Sequence, residues 1–130
     1  MYFDYAGGGD HMGIQFNSSS NGRGSKIDNA SIIHSTYGIT IYGSNPSLSN
    51  VTIWDPDDVG VDLFNSATPV IRNLTIEEAG QDWAFPVYWR YGIGISIGAG
   101  SAPNIDGLVV NDAVTRGLNI WGNSGGLIRN

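Results

Sequence analysis

One short unit recurs along this 130-residue chain and restricts its fold more than any other feature: a glycine followed by aliphatic, variable, aliphatic. It reads Gly13-Ile14-Gln15-Phe16, Gly38-Ile39-Thr40-Ile41, Gly60-Val61-Asp62-Leu63, Gly94-Ile95-Ser96-Ile97 and Gly117-Leu118-Asn119-Ile120, with the glycines 25, 22, 34 and 23 residues apart. A second unit follows each: Lys26-Ile27-Asp28-Asn29, Ser47-Leu48-Ser49-Asn50, Val70-Ile71-Arg72-Asn73, Asn104-Ile105-Asp106-Gly107 and Leu127-Ile128-Arg129-Asn130. Self-similarity at such a period marks a solenoid, in which a repeat buries its inner face only by stacking on its neighbours.

Within a repeat the pattern is that of strands. Ile39 and Ile41 alternate with Thr40 and Tyr42, the two-residue period of a strand with one buried face. Gly43-Ser44-Asn45-Pro46 reads as a turn, and Leu48 and Val51-Thr52-Ile53 as two further short strands on either side of Asn50. Each rung therefore carries three strand stretches, and strands of equal rank pair in parallel at about 4.8 Å. Asn29, Asn50, Asn73 and Asn130 hold one place in four rungs, with Gly107 in the fifth. Stacked asparagines can bond from rung to rung, which explains the residue without a catalytic role.

Composition agrees. The chain is 41% hydrophobic but only 14% charged, against about 25% charged in an average soluble domain. Its 19 glycines suit strands and turns rather than helices. A net charge of −6 argues against a nucleic-acid partner, because little here could neutralise a row of phosphates. No apolar run is long enough to insert in a membrane, and with no cysteine there is neither disulfide nor thiolate metal site.

On these repeats the chain resembles the right-handed parallel β-helix family, the superfamily of pectate lyases and other carbohydrate-binding and sugar-hydrolysing β-helices. The fold expected is all-β, a right-handed parallel β-helix of about five rungs, roughly 24 Å tall. A leucine-rich repeat would need Leu-x-x-Leu-x-Leu spacing and a helix per repeat, and neither is present. Residues 1–130 read as one segment of a longer β-helix, cut at both ends. Phe3-Asp4-Tyr5-Ala6-Gly7 aligns with Ile76-Glu77-Glu78-Ala79-Gly80, which places the start in the last strand of a rung. Open ends expose strand edges, so end-to-end self-association is expected.

Four places invite chemistry. Alternation on the Gly-led strand sets Gln15, Thr40, Asp62, Ser96 and Asn119 in one outward column and Asn17, Tyr42, Phe64, Gly98 and Trp121 in the next. Aromatic rings beside short polar groups suit a sugar, which offers one apolar face and a rim of hydroxyls. The alternative reading has turns or the insertion covering these aromatics. The insertion at 80–91 carries Trp83 and Trp89; it is a second carbohydrate-binding candidate or a local mini-core. Tyr42, Phe64, Trp121, Trp83 and Trp89 are thus the carbohydrate-binding candidates.

Third is Trp54-Asp55-Pro56-Asp57-Asp58, with Asp62 close behind. Asp55, Asp57 and Asp58 are metal candidates, for Ca²⁺ above all; Asp58 and Asp62 are the candidate catalytic acid and base. The run resembles the Asp-Pro-His-Asp/Glu motif of mannuronan C5-epimerases, but Asp57 stands where that family has its histidine. An acidic turn between strands accounts for it as well. Fourth, His11 and His34 are far apart and are expected to be solvated. Asn-x-Ser/Thr occurs at Asn17, Asn29, Asn50 and Asn73; the last three are expected to point inward, leaving Asn17 as the credible glycan acceptor.

The expectation is a non-catalytic segment of a secreted or cell-surface β-helix, structural or in contact with a polysaccharide or cell-surface glycan. Its extracellular placement is implied by the resemblance. The alternative is a polysaccharide-active enzyme (lyase, uronate epimerase or hydrolase) working on the Gly-led face. No arginine lies in the outward columns, which counts against a lyase.

Overall fold

The computed structural model describes residues 2–3, 11–80 and 92–130. Nine strands make up almost all of it: β1 (Tyr2–Phe3), β2 (Ile14–Phe16), β3 (Lys26–Tyr42), β4 (Ser47–Phe64), β5 (Val70–Glu77), β6 (Ile93–Ile97), β7 (Asn104–Asn111), β8 (Arg116–Ile120) and β9 (Leu127–Arg129). One short 3₁₀ turn, Ser18–Ser20, follows β2, with Asn17 accepting from the Ser19 amide. Every strand pairing is parallel.

The chain winds through a β-solenoid of about five coils with three faces, and each coil is labelled here by its leading glycine, from Gly13 to Gly117. The first face stacks residues 26–28, 47–49, 70–72, 104–106 and 127–129. The second stacks Phe3, Ile32, Ile53, Ile76 and Val110 in one column, which puts Phe3 in the register assigned to it from Ile76. The third is the Gly-led face, with Ile14, Ile39, Val61, Ile95 and Leu118 in register. β3 and β4 run without interruption around the corners between faces.

Two features bend the chain at these corners. Between the first and second faces stand Asn29, Asn50, Asn73 and Asn130, with φ between 52° and 58°, and Gly107 at φ 80°. That left-handed conformation is tolerated by asparagine and glycine, so the ladder column is set first by the turn. Between the second face and the Gly-led face, His34, Asp55, Glu78 and Asp112 are also left-handed, with φ from 53° to 57°.

The core fills the tube. Ile32, Ile39, Ile41, Leu48, Ile53, Leu63, Ile71, Ile76, Ile95, Ile97 and Ile105 are wholly buried, each worth about 1.5–3 kcal/mol in removal from water. The recurrent glycine has a steric cause. A Cβ on Gly60 would lie 2.6 Å from the Gly94 carbonyl oxygen of the next coil and 2.7 Å from Cγ2 of Ile76, on the second face of its own coil. Gly38 and Gly94 meet the same pair of groups. The glycine therefore lets each Gly-led strand press against the next Gly-led strand and against the aliphatic column of the second face.

Candidate functional site

The Gly-led face is built from β2, the last residues of β3 and β4, then β6 and β8. Its registers are Gln15 on Thr40, Thr40 on Asp62, Asp62 on Ser96 and Ser96 on Asn119. The polar column is thus real, and so is the neighbouring one. Tyr42 pairs with Phe64, their rings meeting edge to face with centroids 5.0 Å apart at 76°. Two coils on, Trp121 follows Ile120 at the end of β8, its amide donating to the Ile97 carbonyl (2.9 Å).

Gly98 contributes no side chain to that column, and its place is taken by a ring. The Trp121 indole leans over Gly98, where a Cβ would come 2.5 Å from its Nε1. Trp121 Nε1–H donates to Ser96 Oγ at 3.3 Å. A glycine seats the ring and a serine from the polar column orients it. Phe64 and Trp121 belong to coils two rungs apart, about 10 Å; leaning over the intervening coil carries the indole back toward Phe64. Tyr42 is 41% exposed and Trp121 50%. Sequence reasoning found the rings but missed the roles of Gly98 and Ser96. A glycine between two aromatics of one column was the signal.

The acidic run takes a different form from the one expected. It is no free turn: β4 continues through Asp55, Pro56, Asp57 and Asp58. Opposite it β3 has one residue fewer between Ser35 and Tyr37, so the extra residue forms a bulge. Asp55 and Asp57 are buried, at 6% and 7% exposure. Asp55 Oδ2 lies 3.8 Å from His34 Nε2, and the His34 ring is 5.2 Å from that of Trp54. Among the described residues, no three acidic or histidine side chains form a group that could hold a metal ion. Asp55, Asp57 and Asp58 are therefore not drawn together as a cation cage there. Asp58 and Asp62 lie four residues apart on β4, on either side of Gly60. Trp83 and Trp89 lie outside the described residues.

Two expectations are corrected. The ladder asparagines do not point inward: Asn29, Asn50, Asn73 and Asn130 are exposed, because the left-handed corner turns that side chain out while residues two before or one after it, such as Leu48 and Val51, point in. Their amides bond along the stack. Asn73 Nδ2 donates to Asn50 Oδ1 (3.0 Å), Asn50 Nδ2 to Asp28 Oδ1 (3.2 Å), and Asn130 Nδ2 to Asp106 Oδ1 (2.7 Å). Ser49 Oγ also donates to Asp28 (2.7 Å). Together with Asn50 and the charge of Lys26, that bond holds the Asp28 carboxyl below the usual carboxylate range. His11, in turn, is not a solvated loop residue. Its Nδ1 accepts from the Gly13 amide (3.0 Å), so Nε2 carries the proton and donates to the Ile33 carbonyl (3.1 Å).

A family model described as the right handed beta helix region matches residues 6–130. No curated protein and no solved structure was found to match the chain.

Proposed function

The chain belongs to the right-handed β-helix family, and from that premise we propose that it is a non-catalytic, glycan-contacting stretch of a secreted or cell-surface β-helix. A fold of this kind is a scaffold, and function has to be argued from particular side chains. The observation that carries the reading is the aromatic strip on the Gly-led face. Trp121 is tethered by Ser96 and seated on Gly98, yet half of it remains exposed. An aromatic ring that is held but left uncovered is prepared for a flat apolar partner. The column beside it offers the half-buried hydroxyl, carboxylate and amide of Thr40, Asp62 and Asn119, with Ser96 buried beneath the indole. A polysaccharide laid along the solenoid axis would meet rings on one side and hydrogen-bonding groups on the other.

The test is a binding screen against neutral and acidic polysaccharides, with and without Ca²⁺, on the wild type, Trp121→Ala and Tyr42→Ala. Binding that weakens at least tenfold in Trp121→Ala, without loss of folded signal, supports the reading. Binding to no polysaccharide sinks it, and turnover of a bound glycan overturns its non-catalytic part. Binding that requires Ca²⁺ would bring Asp55, Asp57 and Asp58 back into consideration.

A further inference from the structure

We infer that the glycan contacted by the Gly-led face is a neutral one and that Asp62 selects it, accepting from sugar hydroxyls and turning away sugars that carry a carboxylate or a sulfate. This builds on the glycan-contacting reading and adds the chemical class of the ligand. Three observations on the interior coils point to it.

The first is where the charges stand. Asp62 is the one charged member of the two outward columns on the Gly-led face, and neither column contains a lysine or an arginine. The described cations lie elsewhere. Lys26, Arg72 and Arg129 are on the first face. Arg23 donates to the Ser19 carbonyl within its own loop (2.7 Å). Arg116 opens β8 in register with Ile93, outside both columns. A carboxylate or sulfate is recognised by cations, through the arginine fork above all. A polyanionic glycan would therefore meet a like charge on this face and no cation in its columns. The net charge of −6 adds repulsion at longer range.

The second is the distance between carboxylate and ring. Asp62 and Phe64 are two residues apart on β4, so both face outward, roughly 6.6 Å apart along the strand. That is about the width of one sugar ring with its hydroxyls. A sugar lying on Phe64 therefore turns its hydroxyl rim toward Asp62, which is half-buried. A carboxylate has about four lone-pair sites and no donor, so beside its contacts within the fold it can accept from neighbouring hydroxyls of one sugar. Such charge-assisted bonds are about twice as strong as neutral ones. The third is what flanks Asp62. Thr40 and Ser96 stand one rung to either side of it, and Tyr42 packs on Phe64 from the coil before; all three are uncharged hydroxyl side chains. A sugar one rung away in either direction is displaced by about 4.8 Å, well inside the screening length of about 8 Å at physiological salt. One carboxylate thus discriminates against acidic sugars over three coils.

Isothermal titration with β-1,4-linked gluco-, manno- and galacto-hexaoses, each beside its C6-oxidised uronate counterpart, reads the choice directly. In low salt the wild type should bind the neutral member of at least one pair tenfold or more tighter than its uronate, and added salt should narrow that ratio. Asp62→Asn, which keeps the shape and removes the charge, should narrow it at any salt. Asp62→Lys should reverse it, with circular dichroism confirming that both variants are folded. Tyr42→Ala should weaken both members of a pair alike, which separates the part of the ring from that of the carboxylate. A wild type that prefers the uronate, or binds both members equally, overturns the inference and leaves the glycan reading standing. So does an Asp62→Asn variant that keeps the full wild-type preference. Should only another polysaccharide of the wider screen bind, a neutral polymer supports the inference and an acidic one overturns it. Binding to no glycan at all removes the glycan reading and this inference with it.

Discussion

The Gly60 and Gly117 coils carry the same motif and lead opposite lives. Gly60-Val61-Asp62-Leu63 has both aliphatics wholly buried, whereas Gly117-Leu118-Asn119-Ile120 has them nearly half exposed. In a solenoid, then, the motif sets which way a side chain points, and the neighbouring coil sets whether it is buried. The contacts also have direction. The glycine of each coil presses on the coil after it, while the amides of Asn50, Asn73 and Asn130 donate to the coil before. The last coil accordingly keeps its ladder bond and lacks its glycine contact. What a following coil supplies is thus core contact and not the corner bond.

The sharpest way to break this comparison is to place a charge at matched positions. Ile95→Asp puts an unpaired carboxylate in the closed tube, at a cost of several kcal/mol, a large part of the 5–15 kcal/mol typical of a whole domain. Circular dichroism should show it unfolded. Leu118→Asp, its register partner one coil on, reaches water and should cost about 1 kcal/mol. Equal losses at the two sites would mean that the end coil is covered in solution by something that buries Leu118.

The glycines give the next largest contrast. Gly60→Ala drives a methyl into the Gly94 carbonyl and the Ile76 side chain, and overpacking of this kind costs about 1–3 kcal/mol. Gly117→Ala should be neutral or stabilising by about 0.4–1 kcal/mol, because alanine narrows the unfolded ensemble. Urea midpoints of the two variants against the wild type decide it.

How much of this was legible follows from the same directionality. Repeats report what every coil shares, so the three faces, the inward aliphatics and the column of Tyr42, Phe64 and Trp121 could be read from spacing alone. What involves one coil reaching to another could not. Seating Trp121 on Gly98 depends on a side chain leaning across a rung, and spacing fixes only where its Cα stands. The outward turn of the asparagines depends on a left-handed φ, which sequence signals only as a preference for Asn or Gly. The bulge at Asp57 needs two coils compared residue by residue, β3 against β4. The acidic run resembled an active-site motif because Asp-Pro also serves a corner, and only burial and register separate the two uses.

The ladder should behave differently from the core, and so tests the asymmetry itself. Asn73→Gly keeps the left-handed corner and removes one side-chain bond, costing about 0.5–1.5 kcal/mol. Asn130→Gly should cost about the same, since its bond also runs back to the coil before it. Asn73→Ala should add about 1–2 kcal/mol for a Cβ in the left-handed region. Thermal melts of the three variants are sufficient. A ladder loss that vanished at Asn130 would show that coil ends fray at the corner as well as in the core.

The smallest effect lies at the foot of the ladder. Asp28 accepts from Ser49 and Asn50 of the coil above, and that support lowers its pKa in the fold. A carboxyl whose folded pKa is lowered contributes stability that is fully present above its unfolded value, about 3.9. The contribution is lost as pH falls through the lowered folded value. The difference in melting temperature between wild type and Asp28→Asn should therefore be constant above about pH 5 and shrink below it. Asp28 is fully exposed, so water and salt screen the effect, and the share owed to Lys26 should fade first as salt is added. Because Ser49 and Asn50 donate to Asp28 across one rung, the pH-dependent gap should survive in Gly117→Ala, where the far end of the stack is altered. A gap that disappeared in that variant would mean that Ser49 and Asn50 do not stabilise the carboxylate.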